Sequence, residues 1–276
     1  MAVETERTKP TLDQRMRQFL ARLEYRRTGT AAEREAVYRL RYRAYLREGA
    51  ISPNTTAQLW DRFDDAPNAR LFGIHVDGLL VGSIRIHAVD AENRASPALD
   101  AFPDHLEREL DAGRTIVDPN RFVADPDVSR AFPELPYATL RLPFMLAEHL
   151  SADTVTATVR AEHETFYRRV LRCRPVCAPR PYPTLIKPLG LMTVDFASEA
   201  AAVTDRHPFF GSSLAERLRV LGPPSPCQQL PAEHLYGKLD APRSTAPKSP
   251  CFLPSMAGEA KGSHAEGRPS IPAYST

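Results

Sequence analysis

Apolar residues recur at spacings of three and four through Leu12, Met16, Phe19, Leu20 and Leu23, with arginines between them, which predicts a helix that ends at Gly29. Thr30-Ala31-Ala32-Glu33 opens a second helix, because the threonine hydroxyl and a glutamate three residues on can cap each other's free backbone N–H groups. That helix carries Val37, Leu40, Tyr42 and Tyr45 and stops at Gly49. Two helices are thus expected before any strand. Ala69 to Val76 and Leu79 to Val89 read as strands joined by Asp77-Gly78, a pair that tolerates the positive φ of a tight hairpin. Leu99 to Leu110 has the pattern of an amphipathic helix. Arg114 to Val123 reads as a strand interrupted by Asp118-Pro119-Asn120, where the proline cannot donate to the ladder and a bulge or a splayed edge is expected.

Further along, Tyr137 to Leu150 is a helix with Pro143 inside it, Thr154 to Val159 alternates as a strand, and Glu162 to Leu171 is helical again. Prolines crowd residues 175–188, which leaves room only for loose edge strands, and Leu189 to Phe196 reads as the last strand. The sum is an α+β domain with a mixed sheet flanked by helices. Residues 222–276 hold 10 Pro, 5 Gly and 7 Ser in 55 positions, too few aliphatics to offset the entropy of ordering a backbone, so a disordered tail is expected there. The organisation expected is an N-terminal helix over 1–29, one domain over 30–221 and the tail.

Charge narrows the function. A formal net charge of +2 argues against a general nucleic-acid binder, and no apolar run reaches the roughly 18 residues of a membrane helix. With no secretory leader legible either, a cytoplasmic protein without an integral membrane segment is the expectation. Cys173, Cys177, Cys227 and Cys251 fit neither a disulfide framework nor a common zinc spacing and are read as reduced thiols; no metal is expected. The positive charge is uneven: residues 14–47 hold 10 arginines against three glutamates, and 160–190 hold seven Lys and Arg against two glutamates. Such stretches suit an acidic partner, although ordinary solvated helix faces produce similar runs.

The order of elements, with its proline-broken central strand and a later helix bearing Phe166-Tyr167-Arg168-Arg169, resembles the GNAT acyltransferase fold over residues 30–196. Within it, Arg41-Tyr42-Arg43-Ala44-Tyr45, Trp60-Asp61-Arg62-Phe63-Asp64-Asp65, Gly82-Ser83-Ile84-Arg85 and Asp118-Pro119-Asn120-Arg121-Phe122 resemble, in order, segments of LuxI-type autoinducer synthases. Arg160-Ala161-Glu162-His163-Glu164, Phe166-Tyr167, Pro181-Tyr182-Pro183 and Leu191-Met192 are more similar to N-acyl amino acid synthases of the FeeM type. Coenzyme A-dependent members of the fold cradle pyrophosphate in a glycine-containing loop, whereas Phe132-Pro133-Glu134-Leu135-Pro136-Tyr137 stands here without a glycine. The resemblance therefore implies an N-acyltransferase with no bound cofactor, whose donor is the acyl-phosphopantetheine arm of an acyl carrier protein and whose acceptor is the amine of an amino acid. Acyl-homoserine lactone synthesis from S-adenosylmethionine, or carrier-protein or lipid binding without turnover, are the alternatives.

Making an amide from a thioester and an amine requires a proton acceptor, donors for the developing oxyanion and a counter-charge for the acceptor's carboxylate. Asp118 is a candidate base or ammonium anchor, or equally a turn aspartate; Arg121 is a candidate carboxylate grip, or equally a partner of Asp118 or Asp125. His163 is a candidate base or a structural group at a helix start, and Tyr167 resembles the tyrosine near the leaving thiol. Arg41, Trp60, Asp64 and Arg85 are substrate-binding candidates by family position. Arg85 is expected to pair with Asp61, Asp64 or Asp65. Phe122, Phe144 and Met145 are expected to line an apolar groove between splayed central strands.

Overall fold

The computed structural model describes residues 9–223; the expected tail lies outside the described residues except for its first two positions. Helix α1 (Leu12–Leu20) is closed at its start by a reciprocal Thr11–Gln14 capping box. The chain then turns at once into strand β1 (Leu23–Arg27), so a strand separates the two helices where an unbroken helix to Gly29 was expected. Leu23 and Tyr25 owe their burial to the sheet, pairing with Val76 and Ile74. Helix α2 (Ala31–Arg47) starts at the Thr30–Glu33 capping box read from the sequence.

Strands β2 (Ala69–Val76) and β3 (Leu79–Val89) form the expected hairpin, with Asp77 and Gly78 both at positive φ. The expected single helix after them is two short ones, α3 (Pro97–Ala101) and α4 (Pro103–Asp111), because Pro103 interrupts the run. Strand β4 (Ile116–Ala124), helix α5 (Leu135–Leu150), strand β5 (Thr154–Val159) and helix α6 (Glu164–Leu171) follow. Strand β6 (Arg174–Arg180) carries Pro175 and Pro179 and is the edge strand beside β7 (Leu189–Asp195). Helices α7 (Phe196–Arg206) and α8 (Leu214–Leu221) are the last helices of the described residues and lie beyond the last strand foreseen.

The seven strands of the described residues lie in the order β1-β2-β3-β4-β5-β7-β6, antiparallel except where β4 meets β5. One face buries Ile84, Ile86, Val117, Val155 and Met192 against α5, with α1, α7 and α8 around it. On the other face Val89, Ile116 and Leu191 meet α3 and α4, and Leu71 meets Val37 and Tyr38 of α2. Alternation along each strand divides these two sets, as the two-residue period of a strand requires.

The parallel pair is short. β4 and β5 match only at Ile116↔Thr154 and Val117↔Val155. Beyond that point Pro119 offers no N–H and Arg121 takes φ +52°, a left-handed conformation uncommon for an arginine, so β4 turns away while β5 continues beside β7. The splay foreseen from Asp118-Pro119-Asn120 therefore opens the middle of the sheet.

Candidate functional site

The gap between β4 and β5 is a cleft of about 990 Å3. Tyr45, Glu48 and Ala50 at the end of α2 and Tyr182, Leu185 and Lys187 border it on one face of the sheet, and Leu140, Phe166 and Tyr167 on the other. The opening thus passes through the sheet, and Arg121, Phe122 and Val159 form its edges.

Beside the cleft lies a buried charge cluster. Arg41 Nη1 donates to Asp64 Oδ1 at 2.7 Å; Arg85 Nη1 reaches Asp61 Oδ1 at 2.7 Å and Asp64 Oδ2 at 2.9 Å; Arg121 Nη2 reaches Asp61 Oδ2 at 2.5 Å. Arg41 and Arg85 are fully buried. The two aspartates sit at the ends of one 3-10 turn, where Asp61 accepts from the Phe63 N–H and Asp64 from the Asp61 N–H, so the turn is held from within. Burial alone would raise both carboxyls, but the adjoining guanidiniums overcome it and hold them below the ordinary carboxylate range. Three guanidiniums meet these two carboxylates directly, and a third buried carboxylate, Asp118, reaches Arg85 only through the Asn120 amide. Burial pushes Arg41 down despite Asp64, while Asp61 and the nearby Tyr45 raise Arg121 against its own burial.

Arg85, expected to find one of three aspartates, bridges two of them. Arg121 pairs with neither Asp118 nor Asp125 but with Asp61, sixty residues away in sequence, and Asp125 accepts from Arg43 instead. Its guanidinium also lies 5.5 Å from the Tyr45 ring centroid, and its Nη2 donates to Thr184 Oγ1 and to the Pro183 carbonyl. Arg121 Nη1 is buried and has no acceptor, as are Nε and Nη2 of Arg41.

Asp118 is fully buried and does not border the cleft. It faces α3, where its carboxylate accepts from Ser96 Oγ at 2.6 Å, Thr156 Oγ1 at 2.8 Å and Asn120 Nδ2 at 3.2 Å. The cleft-bordering member of this group is Asn120, which accepts from Arg85 Nε and whose Nδ2 lies 3.0 Å from His87 Nδ1. Because His87 Nε2 lies 3.1 Å from the Phe63 carbonyl, an acceptor only, the proton is assigned to Nε2 and Nδ1 accepts from Asn120. Burial pushes the His87 imidazole down to about 4. Asn120, His87, Tyr45, Tyr182 and the full part of Asp61 were not singled out from the sequence. For Asn120 the signal was present in Asp118-Pro119-Asn120, but two-residue alternation does not say which member meets the cleft after a bulge.

On the rim, His163 is exposed and borders the cleft, with Nε2 accepting from Arg160 at 3.0 Å, and Arg160 also pairs with Glu48. Tyr167 borders the cleft from α6, edge-on to Phe166, and burial raises its phenol well above the ordinary range. Phe122 borders the cleft as expected. Phe144 and Met145 do not. They lie one turn along α5 from Leu140, where β4 and β5 are still paired; Phe144 packs on Phe196 at 4.8 Å between ring centroids, and Met145 is fully buried. Trp60 is 57% exposed and also lies outside the cleft lining, because its neighbours Leu59 and Asp61 are the ones turned inward.

A splayed mixed sheet with a through-going cleft and helices on both faces is the GNAT-like fold. Residues 36–195 match the family model "N-acyl amino acid synthase FeeM", and the chain belongs to that family. Among solved structures, FeeM, an N-acyl amino acid synthase from uncultured soil microbes, shares 21% identity at TM-score 0.56, covering 68% of this chain and 98% of its own. TofI, solved in a ternary complex with an inhibitor and MTA, shares 15% identity at TM-score 0.50, covering 69% and 100% respectively. The acyl-homoserine lactone synthase LasI gives 16% identity and TM-score 0.46 over 62% and 88%. No curated protein matches the sequence.

Proposed function

We propose that this acyltransferase moves a fatty acyl chain from an acyl carrier protein to the amine of an amino acid. The observation that carries the acceptor is the unpaired Nη1 of Arg121, a residue at the edge of the cleft. A buried charged donor without an acceptor is costly, and a carboxylate would satisfy it. An amino acid supplies that carboxylate and the amine two bonds away from it.

What stands at the start of α5 supports the reading of the donor. Glu134 occupies the N-cap position there, largely buried, and accepts from Arg15 Nε of α1 at 2.8 Å. Glu134 makes no capping bond and turns its carboxylate to Arg15, while Pro136 in the first turn has no N–H, so the helix start lacks the glycine-bearing loop of amide donors that cradles a pyrophosphate. A phosphopantetheine arm carries no adenosine diphosphate and does not need that cradle. The mouth of the cleft also carries Arg47, Arg130, Arg160 and Lys187, which suits the approach of an acidic carrier protein.

In this reading the thioester carbonyl lies in the gap between β4 and β5, with its chain along Leu140 and Phe166. The amine attacks, Arg160 releases His163 Nε2 so that this nitrogen can take the amine's proton at the rim, and the tetrahedral intermediate collapses to an amide and a thiolate. Tyr167, which burial keeps protonated, donates a hydrogen bond to the departing sulfur, and the sulfur takes up the proton the amine released. Asp118 is a positioning residue in this scheme, because it reaches the cleft only through Asn120.

Mass spectrometry of the protein incubated with mixed acyl-carrier-protein thioesters, the twenty amino acids and S-adenosylmethionine tests this reading. An N-acyl amino acid is expected, and Arg121→Ala should lose it by raising the acceptor KM. An acyl homoserine lactone, or turnover with acyl-coenzyme A alone, would overturn it.

A further inference from the structure

We infer that the segment between β6 and β7, residues 181–188, is the acceptor-selecting roof of the cleft, and that Leu185 reads the size of the acceptor's side chain. This inference rests on the proposed amino acid acceptor and names the residue that chooses among acceptors.

The segment has no regular secondary structure of its own, yet it is tied down at four points. Arg121 Nη2 donates to Thr184 Oγ1 and to the Pro183 carbonyl, the Ile186 N–H donates to the Ala50 carbonyl at 3.0 Å, and Lys187 Nζ donates to the Glu48 carbonyl at 3.0 Å. Its tip is a turn closed by the Leu185 N–H on the Tyr182 carbonyl at 3.1 Å, with Pro183 second and Thr184 third. Thr184 takes φ +63°, where glycine or asparagine is the usual choice, so the turn is held in a conformation its own sequence disfavours. The cross-links to the turn after α2 and to Arg121 are what hold it there.

The consequence is positional. The residue that fixes the turn from below is Arg121, the same residue that has a free guanidinium nitrogen for the acceptor's carboxylate. An amino acid whose carboxylate meets Arg121 must put its side chain within one side-chain length of it. On that face of the sheet the roof segment brings Tyr182 and Leu185 to the cleft, with Leu189 beside them and Glu48 and Lys187 at the mouth, and Leu185 is the half-buried one at the tip. Tyr182 is buried at the root, with its hydroxyl 3.3 Å from Thr158 Oγ1. The acyl chain has a separate wall, Leu140 and Phe166 on the opposite face. Acceptor choice and chain-length choice are therefore made on different sides of the sheet, and the acceptor favoured is one with a medium apolar side chain.

One competition experiment reads both choices. The protein is given all twenty amino acids and carrier-protein thioesters of several chain lengths, and products are sorted by acceptor and by acyl length. Leu185→Ala should shift the ratio of large to small apolar acceptors by about tenfold, the scale of one altered hydrophobic contact, and leave the acyl-length distribution unchanged. Leu185→Val, milder for folding, should shift it in the same direction by less. An unchanged acceptor ratio in variants that still make product, or a shift in acyl length instead, would overturn the inference. If the unaltered protein makes no N-acyl amino acid at all, the acceptor reading itself has failed and the inference falls with it.

Discussion

Arg85 Nε donates to Oδ1 of Asn120 at 2.7 Å, and this one bond joins the charge cluster beside the cleft to the hydrogen-bond network of His87 and Asp118. With its oxygen committed to Arg85, the amide must turn its nitrogen toward His87 Nδ1 and Asp118. Asn120→Leu keeps the volume but leaves Arg85 Nε, His87 Nδ1 and Asp118 each short of a partner in a dry interior. Chemical denaturation should show a loss of about 2–4 kcal/mol. Asn120→Asp should be worse, because it can no longer donate to His87 and sets a second carboxylate beside Asp118.

The two sides of the Arg41–Asp64 pair are unequal, because Asp64 also holds Arg85 Nη1 at 2.9 Å. Removing Arg41 takes one partner from Asp64 and leaves the other, whereas removing the charge of Asp64 strips Arg41 of its carboxylate and Arg85 of one of two. Breaking a buried pair costs about 3–5 kcal/mol, and Asp64→Asn should lie at the upper end while Arg41→Met lies at or below the lower. Urea unfolding of both variants checks the order; the reverse order would mean that the free nitrogens of Arg41 are not the cost that burial makes them.

Much of this architecture was legible in the chain, and the losses have physical causes. The Thr30 capping box, the Asp77-Gly78 hairpin and the proline-broken strand are local devices, decided by a few neighbouring residues, and the structure keeps each one. Strand β1 escaped because Leu23 continues the spacing of α1, and five residues at a sheet edge offer too little alternation to outweigh it. The charge cluster was legible only as family positions. Nothing local pairs Arg121 with Asp61, and the positive φ that aims Arg121 is set by the splay. Phe144 fits the stripe that begins at Pro136 and Leu140, but helix periodicity does not say where along that stripe the sheet beneath is open.

His75 and His87 give stability a dependence on pH. Burial lowers both imidazoles to about 4 from an ordinary value near 6.5. The unfolded chain therefore binds more protons between those values, and stability falls as pH drops from about 6.5 toward 4. Each histidine accounts for at most about 3 kcal/mol of that fall. Asp61 and Asp64 are lowered from ordinary carboxylate values, so their contribution is lost only below about pH 4. Denaturation midpoints at pH 7, 5.5 and 4.5 should decline steadily, and His75→Asn should flatten part of the slope.

Ala157 stands on β5 at the open part of the gap and is buried while still bordering the cleft. A larger side chain there fills the space between the strands. Ala157→Leu should move the product distribution toward shorter acyl chains, at a packing cost of about 1–3 kcal/mol. Equal use of every chain length by the variant would show that the chain does not run past β5.

The Tyr45 ring carries Arg121 at 5.5 Å, and the two residues come from opposite walls of the same cleft edge. Because Arg121 departs from strand geometry at φ +52°, its long side chain has no ladder neighbour to hold it, and the ring, Asp61 and Thr184 do so together. Tyr45→Phe keeps the aromatic face and should leave the acceptor KM within about twofold, since the attraction belongs to the ring. Tyr45→Ala removes it, and a lost contact of about 1.4 kcal/mol raises the acceptor KM about tenfold. The KM for the acyl donor should stay unchanged in both variants, since Arg121 is assigned to the acceptor. Parallel rises in both constants would mean that Tyr45 shapes the whole cleft, and a rise in Tyr45→Phe equal to that in Tyr45→Ala would move the role from the ring to the hydroxyl.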